Sequence, residues 1–341
     1  MASKFGGYMG KVIQINLTTE TVQEYPWTDQ QRQLYLGGKI MATRILADHL
    51  TGSEAAFSEE NWVILSTGPL TGTGAPGSVR FDITALSPKT GIPTSSNCGG
   101  SFGLYLKKAG YDTLILTGRC KAHRWLEICG EQIRFHDADA LWGRGTNESR
   151  QQLAGSLGND SFGSLCIGPA GEDLLSSATV ISDDRAAGRA GMGAVLGWKN
   201  LKAITVTGNK LIPIYNKEKT IVENKKWFAA LSAHPFTSDK EKVSSCTGCP
   251  IRCKKPGKEA DAVLNDLGID SIAAAEGIQW LEVKLGFKPE ANQKHKGGQR
   301  RKGIYPAMLQ AFGLQESLDT AILYQDLTEA VSASGLCMFT A

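Results

Sequence analysis

The chain has 341 residues, enough for two or three domains, and its 41% hydrophobic and 21% charged content is that of an ordinary globular protein. A net charge of +3 is too small to argue for a nucleic-acid or anionic-membrane partner, and no apolar run is long enough to span a bilayer. The N-terminal MASKFGGYMG lacks the apolar core of a secretory signal, so a cytoplasmic protein is expected, with its eight cysteines as thiols or metal ligands rather than disulfides.

In chain order, GKVIQINLTTETVQEY (10–25) predicts a hairpin turning at Thr18-Thr19, and QRQLYLGGKIMATRILADHL (31–50) a helix. Strands are expected at NWVILST (61–67) and at VRFDITAL (79–86), the latter with Val79, Phe81 and Ile83 on one face. A helix follows over 101–110, then strands at 113–118, 124–130 and 131–135, a helix over 147–158, and strands at 176–182 and 203–208. Neither a regular β-α alternation nor an internal repeat is visible, so the reading is α+β, β-rich at the N-terminus. Strand signals fade after residue 212. Helices are expected over 217–235, 271–287 and 314–335, joined by cysteine-bearing loops and a basic segment, KHKGGQRRKG (294–303), that reads as a solvated linker.

SSCTGCPIRCKKPG carries Cys246, Cys249 and Cys253 in a C-x2-C-x3-C spacing. Three thiolates on one loop leave one corner of a [4Fe–4S] cube open, and Cys337 is a candidate fourth ligand from a distant element. Zinc also accepts four thiolates, although it usually takes two separated C-x2-C pairs, and a metal-free loop is the third reading. Cys98, Cys120, Cys129 and Cys166 read as small buried apolar residues.

Most of the 39 glycines lie in short clusters. DDRAAGRAGMGAVLGWKNLKAI (183–204) combines Arg185 and Arg189 with four glycines ahead of an apolar run. Its spacing fits neither G-x-G-x-x-G nor a P-loop. The physics of those motifs survives: bare backbone N–H groups, a following helix and bidentate arginines all favour an anion. TGPLTGTGAPGSVRF (67–81) with Arg80, TSSNCGGSFG (94–103) with Asn97, and IGPAGED (167–173) have the same character, and four such segments together favour a large, multiply anionic cofactor.

In order along residues 7–212, GYMGKVIQINLTT, GPLTGTGAP, SPKTG, NCGGSFG, KKAGYD, IGPAGE and RAAGRAGMGAVLGWKNLKAI resemble the aldehyde ferredoxin oxidoreductase family of tungsten-pterin enzymes. The resemblance implies an N-terminal domain (1–212) whose two sheets cradle two pterin dithiolenes, and a reduced, mainly helical region (213–341) carrying the cluster cysteines. It implies that Arg80, Asn97, Gly99, Arg185, Ala186, Ala187, Gly188 and Arg189 line a tungsten (or molybdenum) bis-pterin. Asn97 and a backbone carbonyl from 185–189 would help hold the Mg2+ that bridges the pterin phosphates. CTGCPIRC matches the cluster loop, LNDLGIDSI a pterin loop with Asp270 facing the ring, and ILYQDLTEAVSASGLCMFT the last, with Leu336 beside Cys337.

Asn265 and Ser332 stand where the family often has aspartate. Most of the region between Asp270 and Tyr324 has no visible counterpart, and the family's acid/base residues find no match here, so no catalytic residue is nominated; Glu259 and His295 fall in unmatched linkers. The implied activity is oxidation of a small aldehyde to a carboxylic acid, with electrons passed through the [4Fe–4S] cluster to ferredoxin or a ferredoxin-like subunit; a homo-oligomer is left open. The alternatives are a non-catalytic, internally deleted member that retains only cofactor or cluster binding, and a zinc-stapled binding module.

Overall fold

The computed structural model describes residues 3–158 and 161–233. Among them are two six-stranded mixed sheets and seven helices, the α+β class expected. The predicted hairpin is present: β1 (Val12–Asn16) and β2 (Thr21–Glu24) pair antiparallel across the Thr18-Thr19 turn. The single helix expected over 31–50 is instead two, α1 (Asp29–Tyr35) and α2 (Gly38–His49). A capping box between Thr28 and Gln31 starts α1, and the chain breaks at Leu36, whose φ is 54°. Gly37 then passes so close to the carbonyl of Thr67 that a Cβ would lie 2.6 Å from it.

β3 (Val63–Thr67), β4 (Phe81–Leu86) and β5 (Pro93–Cys98) follow, then α3 (Phe102–Ala109) and β6 (Thr113–Thr117). The second sheet is built from β7 (Arg124–Cys129), β8 (Gln132–Asp137), β9 (Gly163–Cys166), β10 (Val180–Ser182), β11 (Arg185–Ala187) and β12 (Leu201–Thr207). Its helices are α4 (Thr146–Leu157), the single turn α5 (Pro169–Glu172) and α6 (Met192–Trp198); α7 (Lys217–Ala233) comes last. None of the described helices is long and apolar enough to cross a membrane.

The two sheets share one plan. The first runs β2-β1-β6-β3-β4-β5 and the second β8-β7-β12-β9-β10-β11, and the only parallel pairs, β1 with β6 and β7 with β12, fall at equivalent places. A helix joins the fifth strand to the sixth in both halves, α3 in one and α6 in the other. The internal repeat that the sequence hides is thus explicit in the topology. Its traces become legible in register: Phe102-Gly103 matches Met192-Gly193, Leu106 matches Leu196, and Thr117-Gly118 matches Thr207-Gly208, all at one constant separation.

Strand alternation divides the apolar residues into layers. Ile13, Ile15, Val63, Leu65, Leu114 and Leu116 of the first sheet share a central core with Leu126, Ile128, Leu165, Ile204 and Val206 of the second, together with Phe102 and Leu106 of α3 and Met192, Val195 and Leu196 of α6. The alternate residues Val12, Ile64 and Ile115 cover α2 on the outside of the first sheet, and Trp125, Cys166 and Ala203 cover α4 on the outside of the second.

Each half also buries a charge pair. Lys107 meets Asp112 at 2.6 Å and the Gly7 carbonyl at 2.6 Å, while Asp112 accepts the N–H groups of Met9 and Gly10, which fastens the N-terminal loop to α3 and β6. In the second half Lys202 pairs with Glu172 and donates to the Arg144 carbonyl. Lys199 is different: it is buried, and its Nζ donates to the carbonyls of Gly118 and Ser58. Burial pulls its ammonium down to about 8, against the opposing charge of Glu59.

Two predictions follow from these contacts. A Cβ at Gly197 would stand 1.9 Å from the Gly171 carbonyl, backbone that cannot move without separating α5 from α6. Gly197→Ala is expected to lower stability by about 3 kcal/mol, read as a drop in thermal midpoint and soluble yield; an unchanged midpoint would mean that α5 and α6 are not in this contact. For Lys199, the folded chain releases its proton near 8 and the unfolded chain near the ordinary lysine value, so the unfolded state holds more protons in between and stability rises with pH across that window. From about pH 7 to about pH 10, the stability of the wild type relative to Lys199→Met should improve by about 2.5 kcal/mol in chemical unfolding. A pH-independent difference would show an unperturbed ammonium.

Candidate functional site

The fifth strand of each half is a sheet edge, and the two edges, β5 and β11, lie against each other. Neither reads as a strand in the sequence: PTSSNC is polar and RAA is three residues long. At their junction the chain makes a series of cross-connections. The Cys98 thiol donates to the Arg185 carbonyl at 3.6 Å, and the Arg189 N–H donates to Ser96 Oγ at 3.1 Å. A Cβ on Gly99 would lie 3.2 Å from Arg185 Cγ, so the arginine stem occupies the space that the glycine leaves. Asp183, at φ 54°, accepts the Ser101 N–H at 2.5 Å. The N-terminus of α3 therefore has one of its N–H groups taken by a carboxylate of the chain itself.

Of the residues singled out in the sequence, this junction gathers Arg80, Asn97, Gly99, Arg185, Ala186, Ala187, Gly188 and Arg189 on the two edges and the turns beside them. Arg80, Asn97 and Arg189 are exposed, Arg185, Ala186 and Gly188 half-buried, and Gly99 and Ala187 buried. Arg80 Nε donates to Asn97 Oδ1. Asn97 Nδ2 donates to Asp82 Oδ1 at 3.1 Å and to the Phe81 carbonyl at 3.3 Å. Arg185 Nε lies 3.4 Å from Asp184 Oδ1. The junction thus carries three arginines, an amide whose oxygen accepts from one of them, and small residues that leave backbone accessible, a set suited to an anion with an accompanying cation.

The glycines of the 183–204 segment divide between two tasks. Gly188 is on the open face, whereas Gly191, Gly193 and Gly197 let α6 approach backbone at Ser176, Thr179 and Gly171 more closely than a Cβ allows. Asp82, which the sequence analysis did not single out, underlies Asn97; its signal was the polar residue interrupting an otherwise buried strand. Burial raises its carboxyl above the ordinary aspartate value, and hydrogen bonds from Asn97 and the Lys39 backbone oppose that shift.

The remaining cysteines are mostly as expected. Cys98, Cys120 and Cys166 are buried, and burial pushes the thiols of Cys98 and Cys120 up to about 12, which keeps them protonated. Cys129 is exposed, against expectation, because it ends β7 on the hairpin turn into β8. Among the described residues no group of three histidine, cysteine, aspartate or glutamate side chains could hold a metal ion. Cys246, Cys249, Cys253, Asp270, Leu336 and Cys337 lie outside the described residues.

Residues 12–208, more than half of the chain, match the family model described as aldehyde ferredoxin oxidoreductase, N-terminal domain. The tungsten-containing aldehyde ferredoxin oxidoreductase of Pyrococcus furiosus is 38% identical over 214 residues, 62% of this chain and 35% of that protein. The counterpart from Thermococcus kodakarensis is 36% identical over the same share. An aliphatic sulfonate oxidoreductase, WOR-like subunit, of Pyrococcus furiosus is 32% identical over 231 residues, 62% of this chain and 36% of that one. Among solved structures, the active site complex BamBC of benzoyl coenzyme A reductase with 1,5 dienoyl-CoA aligns with a TM-score of 0.66 and 29% identity, covering 70% of this chain and 37% of that one. The chain spans about a third of the length of the curated relatives it matches. On the matched domain and on the two joined sheets that compose it, the chain belongs to the aldehyde ferredoxin oxidoreductase family.

Proposed function

We propose that residues 1–212 form the cofactor-cradling base of a tungsten- (or molybdenum-) pterin oxidoreductase and that residues 213–341 form a helical region holding a [4Fe–4S] cluster through Cys246, Cys249, Cys253 and Cys337. The observation that supports the reading is the meeting of β5 with β11, with Arg80, Asn97, Gly99, Arg185 and Arg189 at or beside the junction. The donor set fits the group. In this structure the Arg80 guanidinium occupies Asn97 Oδ1 as a cation, so the oxygen is already turned toward positive charge.

In this reading Arg80, Arg185 and Arg189 bind the phosphates of the pterins through paired N–H groups. Asn97 and a backbone carbonyl of the 185–189 turn would help hold a Mg2+, a hard cation that takes oxygen ligands. Gly99, Ala186, Ala187 and Gly188 keep side-chain bulk away from the rings, while Asp270 and Leu336 approach them from the helical region. When bound, the metal–pterin group supplies a two-electron oxidation of a small aldehyde to a carboxylic acid, with water as the oxygen source. A [4Fe–4S] cluster held by Cys246, Cys249, Cys253 and Cys337 would supply one-electron transfer toward ferredoxin or a ferredoxin-like subunit. The choice of an aldehyde rests on the tungsten-containing relatives, which are 36–38% identical, against 32% for the sulfonate relative.

The full chain, expressed without oxygen in the presence of tungstate or molybdate, is expected to purify with about four irons and about one tungsten or molybdenum, and to reduce a viologen dye with an aldehyde. Zinc alone would overturn the reading, and iron without tungsten or molybdenum would favour a remnant that keeps only the cluster. Asn97→Ala and Arg189→Ala change exposed side chains, so each is expected to leave the thermal midpoint unmoved while lowering tungsten or molybdenum content about tenfold. Unchanged metal content in both variants would remove these residues from the site.

A further inference from the structure

β10 and β11 are joined by a tight hairpin: Ser182 pairs with Arg185, and Asp183 and Asp184 alone turn the chain. Asp183 takes the left-handed backbone, φ 54°, at the first of these two places, where a turn of this length favours glycine. Its carboxylate gives that strained residue two anchors. Oδ2 accepts the Ser101 N–H at 2.5 Å, at the start of α3, a helix with no side-chain cap of its own, and a negative charge there also meets the positive end of the helix. Oδ1 faces Arg150 Nε of α4 at 3.5 Å, an ion pair without a hydrogen bond, and the Arg150 guanidinium lies over the Phe162 ring. Ser101 Oγ is turned to the Phe162 carbonyl, 3.4 Å away. On the same side Gly100, at φ 81°, comes so near that a Cβ would stand 2.5 Å from Ser182 Oγ. β11 is only three residues long, so whatever fixes Asp183 also fixes where the Arg185–Arg189 segment begins.

We infer that Asp183 is a positioning residue: anchored on the first turn of α3, its carboxylate fixes the β10–β11 turn and so sets where the Arg185–Arg189 segment stands beside β5. This holds on the reading of that segment as part of a pterin cradle. Nothing in the family match assigns a role to Asp183, whose two oxygens are turned to α3 and α4.

The test uses the full chain purified without oxygen after growth with tungstate or molybdate. Tungsten or molybdenum per chain is counted after gel filtration, with no turnover required, and amide exchange at Ser101 is followed on the chain grown without either metal. Asp183→Asn keeps an acceptor for Ser101 and tolerates the left-handed backbone, so its metal content is expected to stay within about twofold of the wild type. Asp183→Ala loses the acceptor and keeps the strain, whereas Asp183→Gly loses the acceptor and relieves the strain, which places its thermal midpoint above that of Asp183→Ala. Both are expected to retain about tenfold less metal and to exchange the Ser101 amide about tenfold faster. The glycine variant separates positioning from stability. If Asp183 positions the segment, the more stable glycine variant holds metal no better than the alanine variant. Metal content that instead follows the midpoint, recovering in Asp183→Gly, would make Asp183 merely structural and overturn the inference. So would wild-type metal content in Asp183→Ala beside a faster Ser101 exchange. A wild-type chain that purifies with neither tungsten nor molybdenum would overturn the cradle itself, and this inference with it, whatever the Ser101 amide does.

Discussion

The open face depends on one constraint: two sheet edges that carry polar residues must lie side by side without leaving their backbones unsatisfied. An unpaired edge exposes N–H and C=O groups. Here β5 and β11 are joined by hydrogen bonds of several kinds rather than by a continuous ladder: a thiol to a carbonyl, an amide to a serine oxygen, and an aspartate to the first turn of a helix. Because these contacts are individually specific, they set the separation of the two edges and hence of Asn97 from the 185–189 turn. Gly99 makes the approach sterically feasible by yielding its side-chain space to Arg185.

Around that junction the fold is stiff. The central core between the sheets and the core outside each of them are filled by alternating strand residues, and buried charge pairs fasten the loops that no strand can reach. A buried pair such as Lys107–Asp112 adds little net stability compared with apolar packing, because both charges lose water. Its contribution is positional, since Asp112 has a single geometry in which it meets Lys107 and the N–H groups of Met9 and Gly10 together.

Strands that bury one or both faces were legible from composition and period. TLILT, VILST and LKAITVT are fully or almost fully buried, and each falls where apolar runs predict. The strands that make the site were not legible, for the same physical reason turned around: β5 and β11 present polar or small residues to solvent, so no apolar period marks them. The Arg80, Asn97 and Arg185–Arg189 cluster was found by residue type and family resemblance rather than by period. The break between α1 and α2 escaped because Gly-Gly within an apolar pattern is tolerated in a helix, and only the tertiary approach of Gly37 to Thr67 decides against it. The repeat escaped because its two copies share few identities; where one copy has Asp112, the other has Lys202.

That shared plan has a consequence for recognition. Two identical copies meeting edge to edge would present an isologous surface, in which every group on one side reappears on the other, and would suit a ligand with the same symmetry. Fusing the copies into one chain removes that obligation. Asn97 on the first edge corresponds to Ala187 on the second, and the strand residues behind them are Asp82 and Val180. One side carries an exposed amide where the other has a buried alanine between arginines, so a molecule laid across the junction meets a directional surface and has one way round to bind.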